Sequence, residues 1–104
     1  MMYRFGLAAG FACLVLGFAA TASADVEKGK DVYKAQKCQM CHSIDGVGNK
    51  KSPLDGIGAK LTEEQIRKWI VSPQEMKADV KKKAFDKLAK EDLDALVAYM
   101  KSLK

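Results

Sequence analysis

The sequence predicts a small all-α domain that needs more than its own apolar side chains to hold it together. Three observations lead there. No stretch alternates apolar and polar residues with period two, so no sheet is expected. Apolar residues recur instead at helical spacing, most clearly near the C-terminus. And 104 residues with 18 Lys+Arg, 13 Asp+Glu, one His and three Cys leave room for one modest domain.

The first two dozen residues make that domain smaller. Met1-Met2-Tyr3-Arg4 carries one positive charge, Phe5 to Ala20 is an unbroken apolar run, and Ala22-Ser23-Ala24 places small residues where a signal peptidase reads. Residues 1–24 are therefore expected to be a cleaved signal peptide, and 25–104 the domain. Phe5 to Ala24 is long enough to serve as a retained anchor, but the small residues and the lone Arg4 favour cleavage. Cys13 follows Gly10-Phe11-Ala12 deep inside the apolar run, so it is read as a signal residue and not as a lipid site. After cleavage 80 residues remain, with net charge +4 and Tyr33, Trp69, Phe85 and Tyr99 as their aromatics. A core of that size is marginal and usually needs a disulfide, a metal or a cofactor. A multidomain enzyme and a dinucleotide-binding sheet are excluded by length.

Each element then follows in order. Val26 to Lys37 is charged, lacks Pro and spaces Val26, Gly29, Val32 and Tyr33 as a helix does. Asp45 to Lys60, with Gly46, Gly48, Pro53, Gly56 and Gly58, is loop chemistry throughout. Thr62 caps a second helix, with Gln65 completing a capping box and Glu63 and Glu64 at the positive end of the dipole. That helix runs past Trp69 to about Val71, where Pro73 stops it. Gln74 to Lys83 is polar and ambiguous. Lys90 to Leu103 places Leu93, Leu96, Val97, Met100 and Leu103 along one helical face, an amphipathic closing helix.

The chemistry sits in Cys38-Gln39-Met40-Cys41-His42. On a helical turn Cys38 and Cys41 project from nearly the same face. Two thiols so placed can add to the two vinyl groups along one haem edge, and His42 then lies beneath the ring as an iron ligand. A thioredoxin-like dithiol would want a βαβ setting, which is absent. A zinc site needs four ligands, and the domain offers only Cys38, Cys41 and His42 from the usual soft set. A plain disulfide is permitted by export but leaves His42 and the small core unexplained. One covalent haem c, held through two thioethers, answers both the motif and the stability problem. Without it the chain is expected to be largely unfolded.

From Asp25 to Lys104 the sequence resembles a small bacterial class I cytochrome c. Gly29 and Tyr33 match the small and aromatic positions of that family's N-terminal helix; Leu96 and Tyr99 match the pair on the C-terminal helix that crosses it. The resemblance implies a cytochrome c-like fold whose terminal helices cross around one covalent haem. It implies that the Pro53 carbonyl, in Pro53-Leu54, receives the other imidazole N–H of His42, and that Trp69 lies near the haem propionates. It also exposes a departure. Relatives carry an axial Met shortly before a stretch like Ala84-Phe85-Asp86-Lys87-Leu88, and Lys82 stands at that place. Of the other sulfurs, Met40 is too close to His42 and Met100 lies in the apolar stripe of the last helix. Met76 is the sulfur left for the second axial position, although the family often has a Met nearby that is not a ligand. A Lys amine from Lys81 to Lys83, or an open or water-bound iron, are the alternatives.

The expectation is a periplasmic, monomeric, non-enzymatic electron carrier, off the membrane once its signal is removed. Its sixteen Lys would steer it to redox proteins with acidic docking surfaces, or be no more than a solvated face. Nucleic acid is not an expected partner. A haem-based sensor or weak peroxidase with a labile distal ligand is the alternative. Gly46-x-Gly48 and Gly56-x-Gly58 are read as turns, since neither follows a strand.

Overall fold

The computed structural model describes residues 24–104. The expected signal peptide, Cys13 included, lies outside the described residues apart from Ala24. In chain order the elements are α1 (24–35), a 3-10 turn at Cys38–Met40, β1 (Ser43–Ile44), β2 (Val47–Gly48), α2 (Ile57–Lys60), α3 (Glu63–Val71), α4 (Pro73–Met76) and α5 (Lys90–Ser102). Among the described residues no helix is long and apolar enough to cross a membrane.

Helices α1, α3 and α5 make the core. Val32 and Tyr33 from α1, Ile66 and Ile70 from α3, and Leu96, Val97 and Met100 from α5 are buried together. Met100, 6 % exposed, packs there as its place in the apolar stripe predicts. Where α1 crosses α5 there is no room for a side chain at Gly29: a Cβ would collide with the Ala95 carbonyl oxygen and stand 2.6 Å from Tyr99 Cβ. One turn on, the Tyr33 and Tyr99 rings meet edge to face, centroids 5.8 Å apart. The expected crossing of the terminal helices is present.

Helix α3 begins as its sequence predicts. Thr62 Oγ1 accepts from Gln65 N at 3.1 Å, and Gln65 Oε1 accepts from Thr62 N at 2.9 Å. Pro73 ends that helix and opens α4 as its first residue, a position where its missing N–H costs nothing. From 77 to 89 the chain forms neither helix nor strand.

The 45–60 stretch corrects the expectation of loop alone, and β1 and β2 correct the expectation of no strand. These pair antiparallel, Ser43 with Gly48 and Ile44 with Val47, around Asp45-Gly46. Both turn residues have positive φ, 52° and 78°, the backbone an Asp-Gly hairpin demands. Strands of two residues are too short to show a period; the Asp-Gly pair was the available signal. Helix α2 follows, docked on α5: Gly58 N donates to Leu103 O, and Lys101 Nζ donates to the carbonyls of Gly58 and Leu61.

Candidate functional site

The attachment turn starts where α1 ends. Lys37 adopts a left-handed conformation, φ 58°, which breaks the helix and tightens the chain into the Cys38–Met40 turn. The N–H groups of Cys41 and His42 both donate to the Cys38 carbonyl, at 3.1 and 3.0 Å. Cys38 and Cys41 are thus held one turn apart, and both are free thiols. Cys38 is half-buried against the core, whereas Cys41 is exposed. Met40, 67 % exposed, points to solvent.

His42 is fixed by a residue the sequence reading missed. Its Nδ1 lies 3.1 Å from both the Ser52 carbonyl oxygen and Ser52 Oγ. With the proton on Nδ1 the ring donates there, and the Nε2 lone pair is left free for a metal. This contact was expected of Pro53. Ser43 bridges to Pro53: Ser43 N donates to Ser52 O at 3.3 Å, and Leu54 N to Ser43 O at 2.8 Å. Successive carbonyls of an extended segment point to opposite sides, so the register that aims Ser52 O at His42 turns that of Pro53 away. Pro53 itself is exposed.

The hairpin clamps the same turn from its other end. Gly48 has φ 108°, and a Cβ there would collide with the His42 carbonyl oxygen. Asn49 N donates to the carbonyls of Gln39 and His42, each at 3.0 Å, and Asn49 Nδ2 to that of Met40 at 3.2 Å. In the sequence the signal was a glycine followed by asparagine, which reads as a turn without naming its partner.

Near the thiols runs the 77–89 segment. Gln74 Nε2, on α4, donates to the carbonyls of Val80 and Lys82 at 3.4 and 3.3 Å. Phe85 N donates to Ile70 O at 2.9 Å. Between these tethers Lys82 is half-buried, while Lys81 and Lys83 are exposed. Its Nζ lies 5.1 Å from the centre of the Phe85 ring. Burial holds the Lys82 ammonium below its usual value, against an upward pull from Cys38 and then Cys41. Burial pushes the Cys38 thiol up, with Lys82 pulling it down. Lys82 and the two thiols are thus near enough to act on one another's charge. Thioether formation would remove both thiols as acids and leave burial alone acting on Lys82.

Trp69 lies on α3 and Met76 ends α4; both are half-buried and outside the core cluster. Tyr33 Oη is buried without a partner, and burial first, then Cys38, Tyr99 and Asp55, pushes it up to about 12. Two free thiols a turn apart, an imidazole with one nitrogen committed, and an orphaned hydroxyl beside them fit a haem. Among the described residues no cluster of three or more His, Cys, Asp or Glu could hold a metal ion, so the zinc alternative has no ligand set.

The family model described as cytochrome c matches residues 26–104. Cytochrome c oxidase subunit 2 of Alkalihalophilus pseudofirmus is 30% identical over 86 residues, covering 74% of this chain and 25% of that protein. The chain thus spans about a quarter of that relative's length. No solved structure matches.

Proposed function

The chain belongs to the cytochrome c family, which binds haem c and transfers electrons on it, and we propose that it is a periplasmic carrier of one electron at a time. The observation that carries this reading is the Cys38–His42 turn, with two free thiols a turn apart and His42 Nδ1 anchored on Ser52. When bound, a haem supplies an iron that gains or loses one electron.

The rest is done by this chain. Cys38 and Cys41 would hold the haem through thioethers, His42 Nε2 would bind its iron, and Ser52 would keep the imidazole oriented. Trp69 on α3 would lie near the propionates, as the family resemblance implies. Helices α1, α3 and α5 supply the apolar packing that excludes water. Two donors between α3 and α5, the Met76 sulfur and the Lys82 amine, could serve as the second iron ligand. We read the chain as a carrier and not an enzyme, one that passes electrons between larger redox proteins with acidic faces. Its similarity to a protein named as an oxidase subunit supports a protein partner. The leader at 1–24 supports export to the periplasm.

The test is a redox titration of the protein matured with haem-attachment machinery. One reversible one-electron transition, with the haem retained after denaturation, is expected. A colourless product would overturn the haem reading. Rapid CO binding by the ferrous protein at neutral pH would shift the assignment to a sensor or weak peroxidase, a reading that Lys82 in place of the expected methionine motivates.

A further inference from the structure

We propose that Lys82, and not a methionine, is the second protein ligand to the iron, its neutral ε-amine taking the position that His42 leaves open; this rests on the haem reading above. Lys81 and Lys83 are exposed and Lys82 alone of the three is half-buried, although Lys83 Nζ also lies over the Phe85 ring, 5.3 Å from its centre. The backbone on either side of Lys82 is tied down. Gln74 donates to the Val80 and Lys82 carbonyls, and Phe85 N donates to Ile70 O, which holds the stretch beside α3 and α4.

The amine meets no carboxylate there. Among the described residues the ion pairs use Lys28, Lys30, Arg67, Lys68 and Lys90. The Nζ of Lys82 has instead the face of Phe85 and one long contact, 3.4 Å, to the Lys83 carbonyl. A half-buried ammonium without a counter-charge is unfavourable, and a neutral amine with a metal to bind removes that cost. Cys38, whose thioether would mark the haem edge, is itself half-buried against the core.

Two of the three methionines of the domain are worse placed, and the third, Met76, is half-buried as Lys82 is. Met40 sits on the attachment turn itself and is 67 % exposed; Met100 is 6 % exposed in the core. Met76 ends α4, four residues ahead of the tied stretch that begins at Val80.

The experiment is spectroscopic, on the full haem-loaded protein. The ferric wild type is expected to lack the weak near-infrared band of a sulfur–iron bond, and Met76→Ala is expected to leave its spectrum unchanged. Lys82→Met should create the band and raise the reduction potential, because a thioether favours ferrous iron. Lys82→Ala should convert the ferric spectrum to a water-bound form and speed CO binding by the ferrous one. A sulfur band in the wild type that Met76→Ala removes overturns the Lys82 assignment while leaving the haem reading intact. An unchanged spectrum in Lys82→Ala does the same. A protein that matures without colour overturns both.

Discussion

Arg67 on α3 donates to Asp94 on α5 at 2.8 Å, and Lys90 Nζ approaches the other oxygen of the same carboxylate at 3.1 Å. Hydrogen bonds from Lys90 and Arg67 hold the Asp94 carboxyl below its ordinary value. A depressed carboxyl stabilises the fold above its unfolded value, about 3.9, and that contribution fades as pH falls through the folded value. Asp94→Asn is therefore expected to lower the denaturant midpoint modestly near neutral pH, since all three groups are partly exposed. The gap to wild type should begin to close at about pH 4. Urea unfolding at a series of pH values measures it, and a gap that widened in acid would contradict the pairing.

Gly29 tests the crossing of α1 and α5. A methyl group there strikes the Ala95 carbonyl oxygen, which belongs to helix backbone and cannot rotate away. Gly29→Ala should cost about 2 kcal/mol by forcing the helices apart, more than its better helix propensity returns. Chemical denaturation of the haem-loaded protein would show the loss. A neutral or stabilising effect would mean the helices do not approach this closely.

Ser52 offers His42 both a carbonyl and a hydroxyl, so Ser52→Ala removes one acceptor and keeps the other. With a weaker hold on its Nδ1 proton, the imidazole becomes a poorer donor and ferrous iron is favoured. The potential should rise by no more than about 40 mV, the one-electron equivalent of a hydrogen bond worth about 1 kcal/mol. Pro53→Ala, which touches neither contact, should move it less.

Removing the attachment bonds should remove the fold. The buried core is seven apolar side chains and a haem-binding edge, too little to offset the chain entropy of 80 residues unaided. A Cys38→Ala/Cys41→Ala chain without haem is expected to lose most of its helical circular dichroism and any cooperative melt. A sharp thermal transition in that chain would show that the haem is not part of its core.

Lys81 and Lys83 are the exposed neighbours of Lys82 and are free to meet a partner's acidic surface. Reversing both to Glu should slow electron transfer at low ionic strength by about tenfold. The difference should vanish in high salt as the charges are screened. A double variant as fast as wild type at low salt would make these lysines a solvated face and nothing more.

Much of this molecule is readable before any coordinates. Cys38, Cys41 and His42 are adjacent in the chain, so local spacing alone brings them together. The capping box of Thr62 and Gln65, the stop at Pro73 and the stripe on α5 are also local, each set within a few turns of backbone. What escaped was non-local or too short for a period. Ser52 reaches His42 only because Ser43 pairs with Pro53, a register that no residue type announces. Two-residue strands carry no alternation, and the Asp45-Gly46 turn that joins them was absorbed into a glycine-rich loop.

The chain's order therefore determined the family and brought Cys38, Cys41 and His42 together, because the motif that marks it depends on neighbours within one turn. Tertiary structure decided which oxygen orients the imidazole and which of three consecutive lysines is half-buried. Both depend on where distant segments are tied, by Leu54 to Ser43 and by Phe85 to Ile70, and such ties have no signature in the local pattern of residues.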